Sequence, residues 1–224
     1  MLKLLCLLIL TWYVLAEVPT DEERKAILEC HTKLRENVNP PASNMMLLNY
    51  SIEMENLAVK YIADCQPPSN RGPFNGTSEL LMNELREKSQ YVQELCKVNG
   101  NGYDYDENSC NGACLSYNQM VWAASTQFGC ALKNCPTDGD VSKSSYTLVC
   151  IYKPGDESED ERPYVSGDSC SRCPDGYGCQ RNQCYRGTPN TTASSITMTT
   201  TSIGTVLSII ETLIFATLLL HCLE

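Results

Sequence analysis

Apolar positions recur at helical spacing in the first half of the chain and alternate at strand spacing in the second. A first helix is expected from Thr20 to about Asn37, with Ile27, Leu34 and Val38 at helical intervals and Cys30 and His31 between them. Thr20 followed by Glu23 is a capping box, and Asn39-Pro40-Pro41 ends the helix because proline lacks a donor and disfavours helix before it. A second helix is expected from Ser51 to about Cys65, with Met54, Leu57, Ala58, Tyr61 and Ile62 on one buried face. Gln66 to Gly76 reads as a loop. A third helix, capped by Ser78, is expected to run to about Lys97, with Leu81, Leu85, Val92 and Leu95 inward. Asn99 to Asn108 is a glycine- and acid-rich loop with two tyrosines, and Cys114 to Trp122 (CLSYNQMVW) reads as a short helix. Gln127 to Lys133 and Tyr146 to Tyr152 alternate as strands, so the fold class is α+β.

Composition then separates the ends from this body. Residues 1–16 form an apolar run with an early Lys3 and Val14-Leu15-Ala16 at its end, the pattern of a secretory signal cut after Ala16. Residues 17–156 form the main domain. Residues 157–186 form a small module, because Arg162 to Tyr185 holds four cysteines and few aliphatics and needs disulfides in place of a core. Residues 187–202 are a Ser/Thr-rich stalk, and 203–224 an apolar tail. The tail is long enough to span a bilayer, but Glu211 lies within it and no Lys or Arg follows. It reads as a GPI-anchor signal, with a single membrane helix as the alternative and attachment at Asn190 or within Ala193 to Ser195. Either way the body is extracellular, at the outer surface of a membrane.

The formal charge of −10 argues against a nucleic-acid partner. Much of it lies in the run Asp156 to Glu161, which reads as a solvated loop. Of 14 cysteines, Cys6 lies in the signal and Cys222 in the tail; the other 12 read as a disulfide framework. Cys170-x-x-Cys173 has zinc-site spacing, but His31 is the one histidine outside the tail, and paired cysteines are the expected reading. Asn49, Asn75 and Asn190 are glycosylation acceptors.

Three segments occur in order: CHTKLRENVNPPASNM, QMVWAASTQFGC and YTLVCIYKPGD. Together they resemble the CAP superfamily of cysteine-rich secretory proteins, antigen 5 allergens and pathogenesis-related proteins, over about Asp21 to Asp156. The helminth venom allergen-like proteins are the most similar in pattern, and RPYVSGDSCSRCPDGYGCQRNQC resembles the hinge that follows the domain in many animal members. The resemblance implies an α-β-α sandwich around a three-stranded antiparallel sheet. It also implies the pairs Cys65–Cys135, Cys130–Cys150, Cys110–Cys114, Cys30–Cys96, Cys170–Cys179 and Cys173–Cys184.

Many CAP members carry two histidines and two glutamates in a central cleft that sometimes holds a divalent metal. The matching positions here are Ser69, Thr77, Glu87 and Ser116, with Glu84 competing for the place of Glu87. Both imidazoles and one carboxylate are gone, so no metal and no cofactor is expected. His31 lies on the buried face of the first helix, where a structural role is expected, and no Gly-x-Ser-x-Gly elbow or unpaired thiol is present. No enzymatic activity is expected. The resemblance implies lipid carriage, of a sterol or fatty acid, with Tyr103 and Tyr105 as candidate contacts in an aromatic loop. The alternative is a glycosylated surface ligand for a host or partner receptor.

Overall fold

A computed structural model describes residues 16–88, 91–112, 114–137, 140–155 and 161–187, all within one compact unit, Leu15–Pro189. The signal apart from Ala16, most of the acidic run, the stalk beyond Gly187, Asn190 and the tail lie outside the described residues. Among the described residues no helix is long and apolar enough to cross a membrane.

The chain runs α1 (Asp21–Glu36), β1 (Asn49–Tyr50), α2 (Ile52–Tyr61), a 3-10 turn (Gly72–Phe74), β2 (Ser78–Leu85) and α3 (Tyr91–Lys97). The hairpin β3 (Tyr103–Asp104) and β4 (Ser109–Cys110) follows, then α4 (Leu115–Met120), β5 (Gln127–Thr137) and β6 (Asp140–Lys153). A last hairpin is formed by β7 (Gly178–Gln180) and β8 (Gln183–Tyr185). The α1 capping box forms in both directions, Glu23 N–H to Thr20 Oγ1 at 3.2 Å and Thr20 N–H to Glu23 Oε2 at 2.7 Å.

The sheet order is β1-β5-β6-β2: three antiparallel strands plus the two-residue β1, parallel to β5. Residues alternate between its faces. Cys130, Leu132, Leu148, Cys150 and Tyr152 pack with Ile27 of α1 and Tyr91 and Leu95 of α3. Ala131, Val149 and Ile151 pack with Met54, Ala58 and Tyr61 of α2. Helices therefore cover both faces, and the α+β sandwich is established.

One predicted element changes. Ser78–Leu85 is not the start of a third helix but edge strand β2, paired with β6 from Ser78↔Tyr152 to Leu85↔Tyr146. Helix propensity differs by only tenths of a kcal/mol per residue. Pairing β2 satisfies the outer backbone groups of β6, whose Leu148–Tyr152 run is wholly buried. The helix that does form begins at Tyr91.

The outer edge of β5 is closed piecemeal. Asn49 N–H donates to Thr126 O and Ser51 N–H to Phe128 O, Cys130 N–H donates to the Tyr50 hydroxyl, and Leu132 exchanges two backbone bonds with Glu17. Pro136 has no donor to offer. These devices leave little edge for another chain to pair with. Tyr50 is itself fixed by donating to Glu55, whose buried carboxylate also takes a two-pronged contact from Arg24 at 2.8 Å each. The first turn of α2 sits directly on Gly129, where a Cβ would overlap Glu55 N and Ser51 O. Gly129→Ala is expected to cost about 2–3 kcal/mol, read as a fall in the thermal unfolding midpoint.

The cysteine-rich segment has its own hairpin and bridges but docks closely. Cys184 N–H donates to Met45 O at 2.6 Å and Leu47 N–H to Cys184 O at 2.8 Å. Arg181 clamps Glu29 and Glu36 of α1 at 2.8 and 2.7 Å, and Asn182 Nδ2 caps Glu36 O. Gln183 and Tyr164 are buried.

Candidate functional site

The positions matched to the family's metal tetrad fall on different elements and carry no metal-binding set. Ser69 is exposed in the loop after α2, and Glu87 is exposed in the bend after β2, not on a helix. Glu84 falls within β2; the carboxylate carried by α3 is Glu94, paired with Lys97 at 2.7 Å. Thr77 is buried, and its hydroxyl donates to Phe74 O at 2.6 Å. Ser116 is half-buried on α4. Two serine hydroxyls, a committed threonine and an outward carboxylate do not fit a zinc-type ion. The sulfurs of Cys170, Cys173 and Cys184 lie within 4.8 Å of one another, but each is tied in a disulfide and offers no thiolate.

His31 is fully buried on α1. One ring nitrogen faces Ile27 O at 2.8 Å and the other the Tyr152 hydroxyl at 2.8 Å. The helix carbonyl can only accept, so Nδ1 carries the proton and Nε2 accepts from Tyr152. Burial pushes its pKa down to about 4. No carboxylate orients the ring, and it reaches no open space, so it has no route to act as a base.

Sequence reading missed Arg35, one turn beyond His31 and 1% exposed. Its Nη1 donates to Met120 O (3.1 Å) and Trp122 O (2.8 Å). Its Nη2 donates to Met46 O (2.7 Å), Ser125 O (3.2 Å) and Ala123 O (3.4 Å). The central motif thus ends on a buried cation that satisfies the orphan carbonyls after α4. Burial pushes this guanidinium down to about 9, so it stays charged at neutral pH. Trp122 is only half-buried; its carbonyl, not a core ring, ties it to α1. The available signal was position: Arg35 lies on the same helical face as Ile27, His31 and Val38.

The six bridges bring together Cys30–Cys96, Cys65–Cys135, Cys110–Cys114, Cys130–Cys150, Cys170–Cys179 and Cys173–Cys184. Asn49 and Asn75 are exposed, Asn75 at a turn closed by Thr77 N–H to Phe74 O at 3.1 Å, with Gly76 at φ +70°.

Beside the Cys30–Cys96 bridge lies an open cleft of about 760 Å³, between α1, the end of α3 and the loop to β3. Leu34, Val98, Tyr103 and Tyr117 form its apolar part, with Lys33 and Asn39 among its polar lining. Gly100 lies against the end of the Tyr117 ring, where a Cβ would come within 2.8 Å, so a larger residue would have to displace that ring. The Tyr103 and Tyr117 rings are 5.7 Å apart. Tyr103 donates to Asn108 Oδ1 at 2.7 Å, and burial pushes its hydroxyl up to about 12.

The two candidate tyrosines separate in role. Tyr103 lines the cleft. Tyr105 turns away, stacks on Tyr164 at 5.0 Å, donates to Tyr164 O and accepts from Ser166 N–H. Arg162 covers its ring and donates to Tyr105 O and Asp106 O. The loop is stapled to the cysteine-rich segment.

The family model described as CAP, cysteine-rich secretory protein family, matches residues 28–152. Human cysteine-rich secretory protein LCCL domain-containing 1 is 31% identical over 185 residues, covering 75% of this chain and 37% of that protein. The chain thus spans little more than a third of the first relatives' length. Peptidase inhibitor 15-A of Danio rerio is 33% identical over 186 residues, covering 74% of this chain and 71% of that protein. Among solved structures, Schistosoma mansoni venom allergen-like protein 4 is similar at 28% identity and TM-score 0.51, covering 69% of this chain and 100% of that one. Na-ASP-1, at 22% identity and TM-score 0.57, covers 75% of this chain and 48% of its own and shares the fold. With more than half of the chain matched by the family model, and with the sandwich and its order of elements in place, this chain belongs to the cysteine-rich secretory protein (CAP) family.

Proposed function

We propose that this chain is a non-enzymatic extracellular CAP protein, held at the outer membrane surface by its C-terminal tail, that carries a sterol or fatty acid in the cleft beside Cys30–Cys96. The observation that carries this reading is the cleft itself: half-buried Leu34, Val98 and Tyr103 beside the buried Tyr117 ring give it an apolar side, facing a polar side of Lys33, Asn37, Asn39, Asn99 and Asn101. The absence of catalysis is supported by the enclosed His31 and by the mismatch of Ser69, Thr77, Glu87 and Ser116 to a metal. Titration of the purified full chain with cholesterol and with oleate tests the reading. Saturable binding of one of them is expected, and Tyr103→Ala is expected to weaken it roughly tenfold, the equivalent of losing a modest part of one buried aromatic side chain. Absence of saturable binding, or unchanged binding in Tyr103→Ala, counts against this site.

A second reading, a glycosylated ligand for a host or partner receptor, is favoured by the exposed acceptors Asn49 and Asn75 on a framework braced by six disulfides. Affinity capture by the chain with intact glycans, in the absence of lipid binding, would favour it.

A further inference from the structure

The cleft beside Cys30–Cys96 runs against the charge of the chain. The sequence holds 27 acidic residues against 17 lysines and arginines, yet among the described residues no carboxylate lines the cleft, and Lys33 is its one charged lining residue. Lys33 and Leu34 are adjacent on α1, so the charged and the apolar lining meet there.

The acid paired with Lys33 holds it loosely. Both carboxylate oxygens of Glu29 are taken by Arg181, Nη1 to Oε2 at 2.8 Å and Nη2 to Oε1 at 3.2 Å. Lys33 Nζ stays 3.7 Å from Glu29 Oε1, outside hydrogen-bond reach, on a side chain that is 67% exposed. Arg181 meets the carboxylate better because its planar fork reaches two oxygens at once, where an ammonium is a point charge. The same guanidinium also donates to Glu36 Oε2, from Nη2 at 2.7 Å and Nε at 2.9 Å. The cysteine-rich segment therefore engages both acids of this stretch of α1 and leaves the three donors of Lys33 unspent. Asn39 and Asn101, also in the lining, present exposed amides that can donate as well.

We propose that Lys33 determines which ligand the cleft holds: an amphiphile with one long apolar chain and an anionic head, specifically a long-chain carboxylate. This rests on the cleft being the lipid site. The apolar chain lies along Leu34, Val98 and Tyr103, and the carboxylate accepts from Lys33 Nζ with an asparagine amide beside it. A sterol brings only a neutral hydroxyl at its polar end and forms no charge pair with Lys33. The chain's formal charge of −10 repels an anion at long range. At physiological salt that repulsion is screened beyond about 8 Å, so the local cation decides which head is held.

The test titrates the purified full chain with oleate and with oleyl alcohol, which share one tail and differ in the charge of the head. Oleate is expected to bind roughly fivefold tighter, the size of one solvent-exposed ion pair. Lys33→Gln is expected to remove that preference by weakening oleate alone, with oleyl alcohol binding and the thermal midpoint unchanged. Lys33→Arg keeps the charge and is expected to keep the preference, and Lys33→Glu is expected to reverse it. Oleyl alcohol binding the parent chain as tightly as oleate overturns the proposal, and so does a preference that survives Lys33→Gln. Equal weakening of both ligands in Lys33→Gln also overturns it, because a charge pair acts only on the charged head. If cholesterol binds and oleate does not, the proposal fails while the lipid reading stands. If oleate, oleyl alcohol and cholesterol all fail to bind, the lipid reading itself fails and this proposal with it.

Discussion

Replacing Arg35 by methionine is expected to lower the unfolding free energy by about 4 kcal/mol, within the range seen when one partner of a buried charged contact is removed. Methionine fills similar space but removes the donors to the carbonyls of Met46, Met120 and Ser125 and leaves Trp122 O with Ser125 N–H alone, around a side chain that is almost wholly buried. The damage reaches three parts of the chain at once, because those carbonyls belong to the end of α4, the segment leading to β5 and the run before β1. The thermal midpoint is expected to fall by roughly 10 °C for a domain of this size. Arg35→Lys keeps the charge on a single nitrogen that cannot span two sets of carbonyls, and an intermediate loss of about 2 kcal/mol is expected. Urea unfolding of the three proteins checks both values. A methionine variant as stable as the parent would show that the carbonyls find other partners.

Acidification from pH 7 to about 4.5 is expected to remove about 2 kcal/mol through His31 alone. In the folded protein its pKa is depressed to about 4 from an ordinary 6.5, by burial first and by the nearby Arg35 charge as well. Between those values the unfolded chain binds a proton that the folded chain does not, so stability falls as pH drops through that window and is fully present above it. Protonation would also turn Nε2 into a donor facing the Tyr152 hydroxyl, in a ring packed 4.2 Å from Phe128. His31→Gln is expected to be less stable at pH 7 but to lose the slope between pH 6.5 and 4.5, since glutamine does not titrate. Glu29, held below the usual carboxylate range by Arg181, acts in a lower window and leaves that slope intact. Unfolding midpoints at half-unit pH steps read this directly. An equal slope in both proteins would assign the acid sensitivity elsewhere.

The two buried groups differ in how far sequence could read them. His31 falls on the apolar face of α1, and its structural role follows from that periodicity. Arg35 falls on the same face, but its partners are backbone carbonyls, which carry no sequence signature. The Tyr103/Tyr105 pair shows the same limit. Both lie in one short loop and look equivalent, yet Tyr103 lines the cleft while Tyr105 is held by Arg162, Tyr164 and Ser166, about sixty residues away in sequence.

From sequence alone, the α1 cap, the faces of α1 and α2, the buried runs of β5 and β6, and the family all follow. These rest on local periodicity and on motifs that lie within a few residues. Tertiary structure decided the rest. Ser78–Leu85 became a strand because β6 needed a partner more than the segment favoured a helix. The cleft arises where α1, α3 and the Gly100 loop meet without filling the space between them. The central stretch Cys114–Trp122 identifies the family by its spacing, but its work here is structural. It ends on the Arg35 cation and begins at the bridge that holds Tyr117 to Tyr103. Such arrangements depend on groups far apart along the chain, and only the packed fold brings them within hydrogen-bonding distance.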